Sequence, residues 1–269
     1  MASFNAAQAH QTPFIGALNP NYQADIVVLD DPYDVKVHQV IKKGHLISNH
    51  DFNTHPLSFA KNTMNFALSP ADLQLPLNSA TANIIQVILN HIETEHLVEP
   101  VSIHNGNFCP DPSNDQLKMV VVERHHNTGK IGKAIVKGFN LTHGAVASSI
   151  AHDSHNIIAV GTNDADLLAV IQHLQKVGGG ITVFANRHEL ATLPLQIGGL
   201  MSNLSYKETA QKLNAITAAY QSISRPIAFN PFIALLFLAL PVIPTLKLTA
   251  RGLYDFDQQK FISVEANTN

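Results

Sequence analysis

The 269-residue chain contains no tryptophan, a single cysteine at Cys109, and charged residues at only 14% of its positions. Each shortage excludes something. One thiol cannot close an internal disulfide, and the polar, alanine-rich start of the chain has no charged segment ahead of an apolar core, so the chain reads as cytosolic with no secretory signal. Seventeen basic against twenty acidic residues give a formal charge of −3 without long runs of either sign, so the basic footprint that neutralises phosphates is missing and nucleic acid is not expected as a partner. The most apolar stretch, residues 227–243, is interrupted by Asn230, Pro231 and Pro241. Too few clean residues remain to cross about 30 Å of hydrocarbon, so this stretch predicts a buried helix and no membrane partner. No repeat of fixed period is present.

What is present is enough apolar residue, 45%, to build a core, and fifteen histidines. Residues 24–30 and 37–47 read as two short strands, the second closing on Lys43-Gly44, which together predict a hairpin-like β unit. Turn-rich segments at 51–56 and 70–76 place a domain boundary near Leu57. Beyond it, residues 84–89 are apolar enough for a strand or a buried helix, and periodicity alone leaves both open. Residues 117–122, 134–139 and 157–161 read as strands, with the small-residue segment 144–150 between the last two. Asn163 or Asp164 caps a helix carrying Leu167, Leu168, Ile171 and Leu174, which Gly178-Gly179-Gly180 stops before a strand at 181–184. A second helix opens with the capping box Ser205 and Glu208 and sets Ala210, Leu213, Ile216, Thr217 and Tyr220 on one face. The predicted class is α/β or α+β: a small β unit over residues 1–57, then a mixed-sheet domain with flanking helices over 58–269. The direction of the strand after the glycine stop stays open.

Two polar strings interrupt this pattern. Glu123-Arg124-His125-His126 follows a strand and precedes a glycine-containing loop through Gly129 and Gly132, the usual position for a site because the sheet fixes side chains while the loop lets backbone approach a ligand. An exposed Arg–Glu pair with two solvated histidines is the plainer reading of the same residues. The second string, His152-Asp153-Ser154-His155-Asn156, offers histidines three apart with a carboxylate between them, suited to orienting a planar heterocycle or shuttling a proton. A metal held by this chain alone is not expected: there is no His-x-His pair, Cys-x-x-Cys or His-Glu-x-x-His. The Gly178 to Gly180 run follows a helix and lacks a Gly-Lys-Ser/Thr sequel, so it is a helix stop and not a phosphate loop.

The string Val122-Glu123-Arg124-His125-His126-x-Thr128-Gly129-x-Ile131-Gly132, then Val136-Lys137-Gly138-Phe139, then Ala147 through His152-Asp153-Ser154-His155-Asn156 to Thr162-Asn163-Asp164, resembles the C-terminal region of the adenine deaminase family within the amidohydrolase superfamily. The likeness continues through Leu193-Pro194-Leu195, Gly199-Leu200-Met201-Ser202, Leu238-Ala239-Leu240-Pro241-Val242-Ile243-Pro244 and Arg251-Gly252-Leu253. Upstream, residues 21–31 and 40–44 resemble the small β domain that follows the barrel in amidohydrolases, and residues 1–11 resemble a last barrel helix. Ala250 departs from an acidic residue usual in the family, and Leu236 from an expected hydroxyl residue.

The resemblance implies hydrolysis of adenine to hypoxanthine and ammonia, with water activated by a divalent metal, manganese, iron or zinc, whose ligands lie on barrel strands that this chain lacks. It casts Glu123, Arg124, His125, His126, His152, Asp153, His155 and Asn156 as a candidate wall of the active site, with no catalytic residue or metal ligand assigned within the chain. The isolated chain is accordingly expected to be catalytically incomplete, working with a barrel-bearing chain or as a homo-oligomer. A different class stays open: a non-catalytic binding or assembly module. A third reading makes His125, His126, His152, Asp153 and His155 an independent metal hydrolase.

Overall fold

A computed structural model describes residues 3–48 and 64–266. The chain divides into two compact units, Met1–Leu57 and Ser58–Asn269. The boundary expected near Leu57 and the turn-rich segment at 51–56 lie outside the described residues.

The first unit holds a short helix, α1 (Phe4–Ala9), and an antiparallel three-stranded sheet of β1 (Ile26–Asp31), β2 (Lys36–Lys42) and β3 (His45–Leu46), in that order. The turn between β2 and β3 takes Lys43 and Gly44 to φ +50° and +80°, the left-handed pair a tight hairpin turn demands. Asp25 holds it: its carboxylate accepts from Lys43 N at 2.8 Å and from Lys42 Nζ at 2.5 Å.

The second unit is built on one sheet. A hairpin of β4 (Thr81–Val87) and β5 (Thr94–Pro100) leads through a small ribbon, β6 (Ile103–His104) and β7 (Asn107–Phe108), to β8 (Leu117–Val122), β9 (Ile131–Lys137), β10 (Ala145–Ser148) and β11 (Ile157–Gly161). Helix α2 (Asp164–Val177) precedes β12 (Gly180–Ala185) and β13 (His188–Pro194), and the eight-stranded order is β13-β12-β10-β11-β8-β9-β4-β5. Every neighbouring pair is antiparallel except β4 with β9. Two further helices, α3 (Tyr206–Ile223) and α4 (Pro231–Phe237), and a second sheet of β14 (Leu246–Thr249), β15 (Gly252–Asp255) and β16 (Lys260–Phe261) complete the unit. Residues 263–266 return to the start of β4, where Asn83 N donates to Val264 O at 2.8 Å and Ala266 N to Thr81 O at 3.0 Å.

The layers explain the apolar runs. Val120 and Val122 of β8 face α2 through Leu167, Val170, Ile171 and Leu174, whereas Leu117, Met119 and Val121 join the cluster made with Ile216, Tyr220, Leu235, Leu246 and Leu253 from the opposite cover. A strand buried on both faces has no polar alternation to show. Helix α2 starts where Asn163 accepts from Asp166 N at 2.8 Å and stops where Gly178 turns left-handed at φ +87°. Its return is resolved as parallel in direction to β11, with β10 inserted between β11 and β12 and antiparallel to both.

Several expectations are corrected. The run at 84–89, open between strand and helix, is strand as far as Val87, with Ile84, Ile85 and Gln86 paired on both sides, and ends in a turn at Leu89. The helix expected across 227–243 is confined to Pro231–Phe237, because Asn230 caps Phe232 N and Ile233 N, Pro231 sits at the first helical position, and turns follow; Ile233 and Val242 are exposed. On α3, Ala210, Leu213 and Thr217 face solvent and burial begins at Ile216. Gly132 is a residue of β9 and not of the preceding loop: a Cβ there would collide with the Thr249 carbonyl of β14, so close packing of the second sheet requires glycine.

Candidate functional site

The two polar strings meet because of strand register. Val122 at the end of β8 pairs with Ile157 at the start of β11, so residues leaving one strand lie beside residues entering the other. Glu123 makes the turn after β8. Its carboxylate accepts from the backbone N–H of His125 at 2.5 Å, His126 at 2.9 Å and Thr128 at 3.1 Å, and from Thr128 Oγ1 at 2.9 Å. Burial pushes the Glu123 carboxyl up, but these donors outweigh it and hold the group at about 2. Glu123 is thus ionised at neutral pH with its lone pairs engaged by its own loop.

Arg124 turns the other way. It is 1% exposed, buried where a solvated surface pair with Glu123 was the plainer expectation. Its Nε donates to His155 O at 2.5 Å and its Nη2 to Gly198 O at 2.9 Å, while its own carbonyl accepts from Asn65 N at 2.8 Å. Burial lowers the guanidinium pKa, and the backbone carbonyls stand where water would otherwise solvate the charge. Gly199, at φ +78°, lets its chain pass: a Cβ would lie 2.8 Å from Arg124 Nη2. One buried cation ties three loops together.

The second string is ordered around this tie. Asn156 is buried, its Oδ1 accepting from Arg124 N at 3.4 Å and its Nδ2 donating to Ser154 Oγ at 3.2 Å. His125 Nε2 lies 2.9 Å from Ser154 O, which bridges the two strings. The His152 ring stacks on Phe237 at 5.0 Å and sits 5.6 Å from the His155 ring. His155 is held below the ordinary histidine range by burial and then by the neighbouring positive groups His152 and Arg124, with Asp153 opposing. Its Nδ1 is buried with no hydrogen-bond partner among the described residues. Asp153 and Ser154 are the exposed members of the string, the Asp153 side chain 84% accessible. His126 is exposed.

A cleft of about 630 Å³ opens beside the strings, the size of a small-ligand site. Of the eight residues, Glu123, Asp153 and Asn156 line it together with Ser154 and Lys130; Arg124, His125, His126, His152 and His155 are not among its lining residues. Sequence reasoning missed the opposite wall, made of Leu240, Pro241 and Val242 and of Arg251, Tyr254 and Phe256. Arg251 lies over the Phe261 ring at 4.7 Å, and Tyr254 meets the same ring edge-on at 5.2 Å. The Arg251-Gly252-Leu253 string was the available signal, though it carried no hint that it shares a cleft with Asp153.

These residues do not form a ligand set for the divalent metal that the resemblance implies. Among the described residues no three His, Cys, Asp or Glu side chains converge, Glu123 is saturated by its loop, and the His152 ring is stacked on Phe237. The independent metal hydrolase built on His125, His126, His152, Asp153 and His155 therefore lacks its centre. No helix among the described residues is long and apolar enough to cross a membrane.

Residues 91–260 match the family model for the adenine deaminase C-terminal domain. The adenine deaminase of Lactiplantibacillus plantarum is 48% identical over 270 residues, covering 100% of this chain and 47% of that protein. The adenine deaminases of Geobacillus kaustophilus and Listeria innocua are each 44% identical, covering 99% of this chain and 48% of theirs. The chain spans about half the length of these curated relatives, and by the extent of the family match it belongs to the adenine deaminase C-terminal domain family.

Proposed function

We propose that this chain is the C-terminal portion of a cytoplasmic adenine deaminase, in which the 123–130 and 152–156 loops form one wall of the active site for hydrolysis of adenine to hypoxanthine and ammonia. The observation that carries this is the cleft, whose lining joins Glu123, Asp153 and Asn156, brought together by strand register, to Arg251, Tyr254 and Phe256 from the C-terminal part of the chain. Flat aromatic and apolar surfaces beside a few fixed polar groups suit a planar heterocycle. Asp153, exposed on the cleft, is the group able to accept or hand on a proton, while Glu123 and Arg124 keep the two loops in place. The divalent metal, manganese, iron or zinc, is supplied by a metal-bearing portion outside these residues, on the same polypeptide, a second polypeptide or another copy. Its role is to activate the attacking water.

Ammonia release from adenine tests this. The purified 269-residue chain with manganese, iron or zinc is expected to show no turnover. Mixed with or joined to the remaining half of the Lactiplantibacillus plantarum protein it is expected to restore turnover, which Asp153→Asn then lowers about a hundredfold or more. Robust turnover by the chain alone, or full turnover with Asp153→Asn, overturns the assignment. The second reading, a non-catalytic assembly module, is favoured by the apolar rim of the cleft, where Val242 is 67% and Phe261 40% exposed. It predicts that the joined protein is assembled correctly and that Asp153→Asn leaves turnover unchanged.

A further inference from the structure

A second cleft, of about 540 Å³, lies between the C-terminal end of α3 and the segment leading into α4, and shares no lining residue with the first. Its floor is aromatic. Phe232, nearly buried, meets Tyr220 edge-on at 5.6 Å, and Phe229 is half-buried beside them. The Tyr220 hydroxyl is already committed, donating to Phe139 O at 2.5 Å, so the phenol offers the cleft its ring and not its polar end.

The polar lining is biased toward donors. Asn230 spends its Oδ1 on capping α4, accepting from Phe232 N at 3.0 Å and Ile233 N at 3.3 Å, which leaves its NH₂ as the group able to reach a ligand. Arg225 is anchored from behind: its Nη2 donates to Pro112 O at 2.7 Å and Ser113 O at 3.5 Å, and its backbone N to Asn140 O at 2.9 Å. No carboxylate among the described residues forms an ion pair with it. Asp115, whose carboxyl feels its charge, is engaged by Gly138 N at 2.5 Å and Asn140 N at 2.7 Å. No acidic residue lines the cleft. A fixed guanidinium with free donors, an outward amide NH₂ and an aromatic floor complement a flat apolar body carrying an anionic group.

We propose that this cleft is a binding site for a small planar-ring molecule bearing a phosphate or carboxylate, with Arg225 holding the anion and the Phe229–Phe232 surface holding the ring. The site is independent of the adenine-facing cleft and does not rest on the activity proposed above.

The test is titration of the purified chain with phenyl phosphate and benzoate, followed by ligand-observed NMR or calorimetry, with inorganic phosphate and benzyl alcohol as comparators. Phenyl phosphate or benzoate is expected to saturate at roughly 0.1–1 mM. Inorganic phosphate and benzyl alcohol, each carrying half of the recognition, bind about tenfold weaker or not at all. Arg225→Gln weakens the anionic ring compounds about tenfold while leaving benzyl alcohol unaffected, and Arg225→Lys falls between the two. Thermal melts of both variants, expected to match the parent chain because Arg225 is exposed, establish that binding and not folding has changed. Absence of saturation by both anionic ring compounds, equal affinity in Arg225→Gln, or inorganic phosphate binding as tightly as phenyl phosphate overturns the proposal.

Discussion

Arg124 Nε donates to the main-chain carbonyl of His155 at 2.5 Å, which makes the geometry of the second polar string a property of the first. Removing the guanidinium leaves the carbonyls of His155 and Gly198 without this donor and opens a void behind the cleft. Arg124→Ala is therefore expected to cost roughly 3–5 kcal/mol in urea or thermal unfolding, and Arg124→Lys, which keeps the charge but not the fork, about half of that. A melt within about 0.5 kcal/mol of the parent chain would show that Arg124 is not the tie described here.

His155 carries a pH signature of the same arrangement. Its pKa in the folded chain lies below the ordinary 6.5, so the unfolded chain binds the proton more readily. The stability this neutral ring contributes is fully present above pH 6.5 and is lost as pH falls from 6.5 through the lowered value. NMR titration of the His155 ring proton is expected to give a midpoint below 6.5, moving upward in His152→Asn because His152 is one of the positive neighbours depressing it. A midpoint at or above 6.5 in the parent chain would contradict the burial described.

Gly132 sets the distance between the main sheet and the cleft's far wall. Gly132→Ala drives a methyl into the Thr249 carbonyl, so the β14–β15 hairpin carrying Arg251 and Tyr254 must move outward. The expected outcome is a loss of about 1–3 kcal/mol with backbone shift changes concentrated in residues 246–255. Unchanged shifts there would mean that the hairpin is not held against β9.

Lys247 is a cation without exposure, its Nζ donating to Ile92 O at 2.7 Å. Burial draws its pKa down from 10.5 to about 8, with Glu93 partly opposing. The unfolded chain then binds more protons between these values, so stability is expected to rise as pH climbs from 8 toward 10.5. Lys247→Met removes that rise and stabilises the chain at neutral pH by about 1–3 kcal/mol. Destabilisation by the methionine would show that the Ile92 bond outweighs the burial of charge.

Sequence legibility followed how local each determinant is. The bounds of β8 are readable because a run that is apolar except for Lys118 ends at Glu123, and those of α2 because Asn163 and Gly178 perform their capping roles within one turn of the helix. The identity of β4 was not, since a run such as Ile84-Ile85-Gln86-Val87 suits either element until a partner strand decides it. The placement of Arg124 stays open in the sequence for the same reason: adjacent Glu and Arg suit a solvated pair as well as a site, and only the neighbouring loops at 155 and 198 bury the guanidinium. Arg251, Tyr254 and Phe256 reach the cleft through tertiary packing of the second sheet onto β9, over a sequence distance no local pattern spans.

The return of residues 263–266 to β4 also orders events in time. Asn83 Nδ2 donates to Ser263 O across 180 positions of sequence, and the neighbouring main-chain bonds join Thr81 and Asn83 to Ala266 and Val264. At a synthesis rate of about 5–20 residues per second, the start of β4 waits roughly ten to forty seconds for these partners to emerge. Until then its main-chain groups there are satisfied by water, and contacts this distant are the slowest to form. Sealing of this end of the sheet is thus a late step, after the core between α2 and α3 has been assembled.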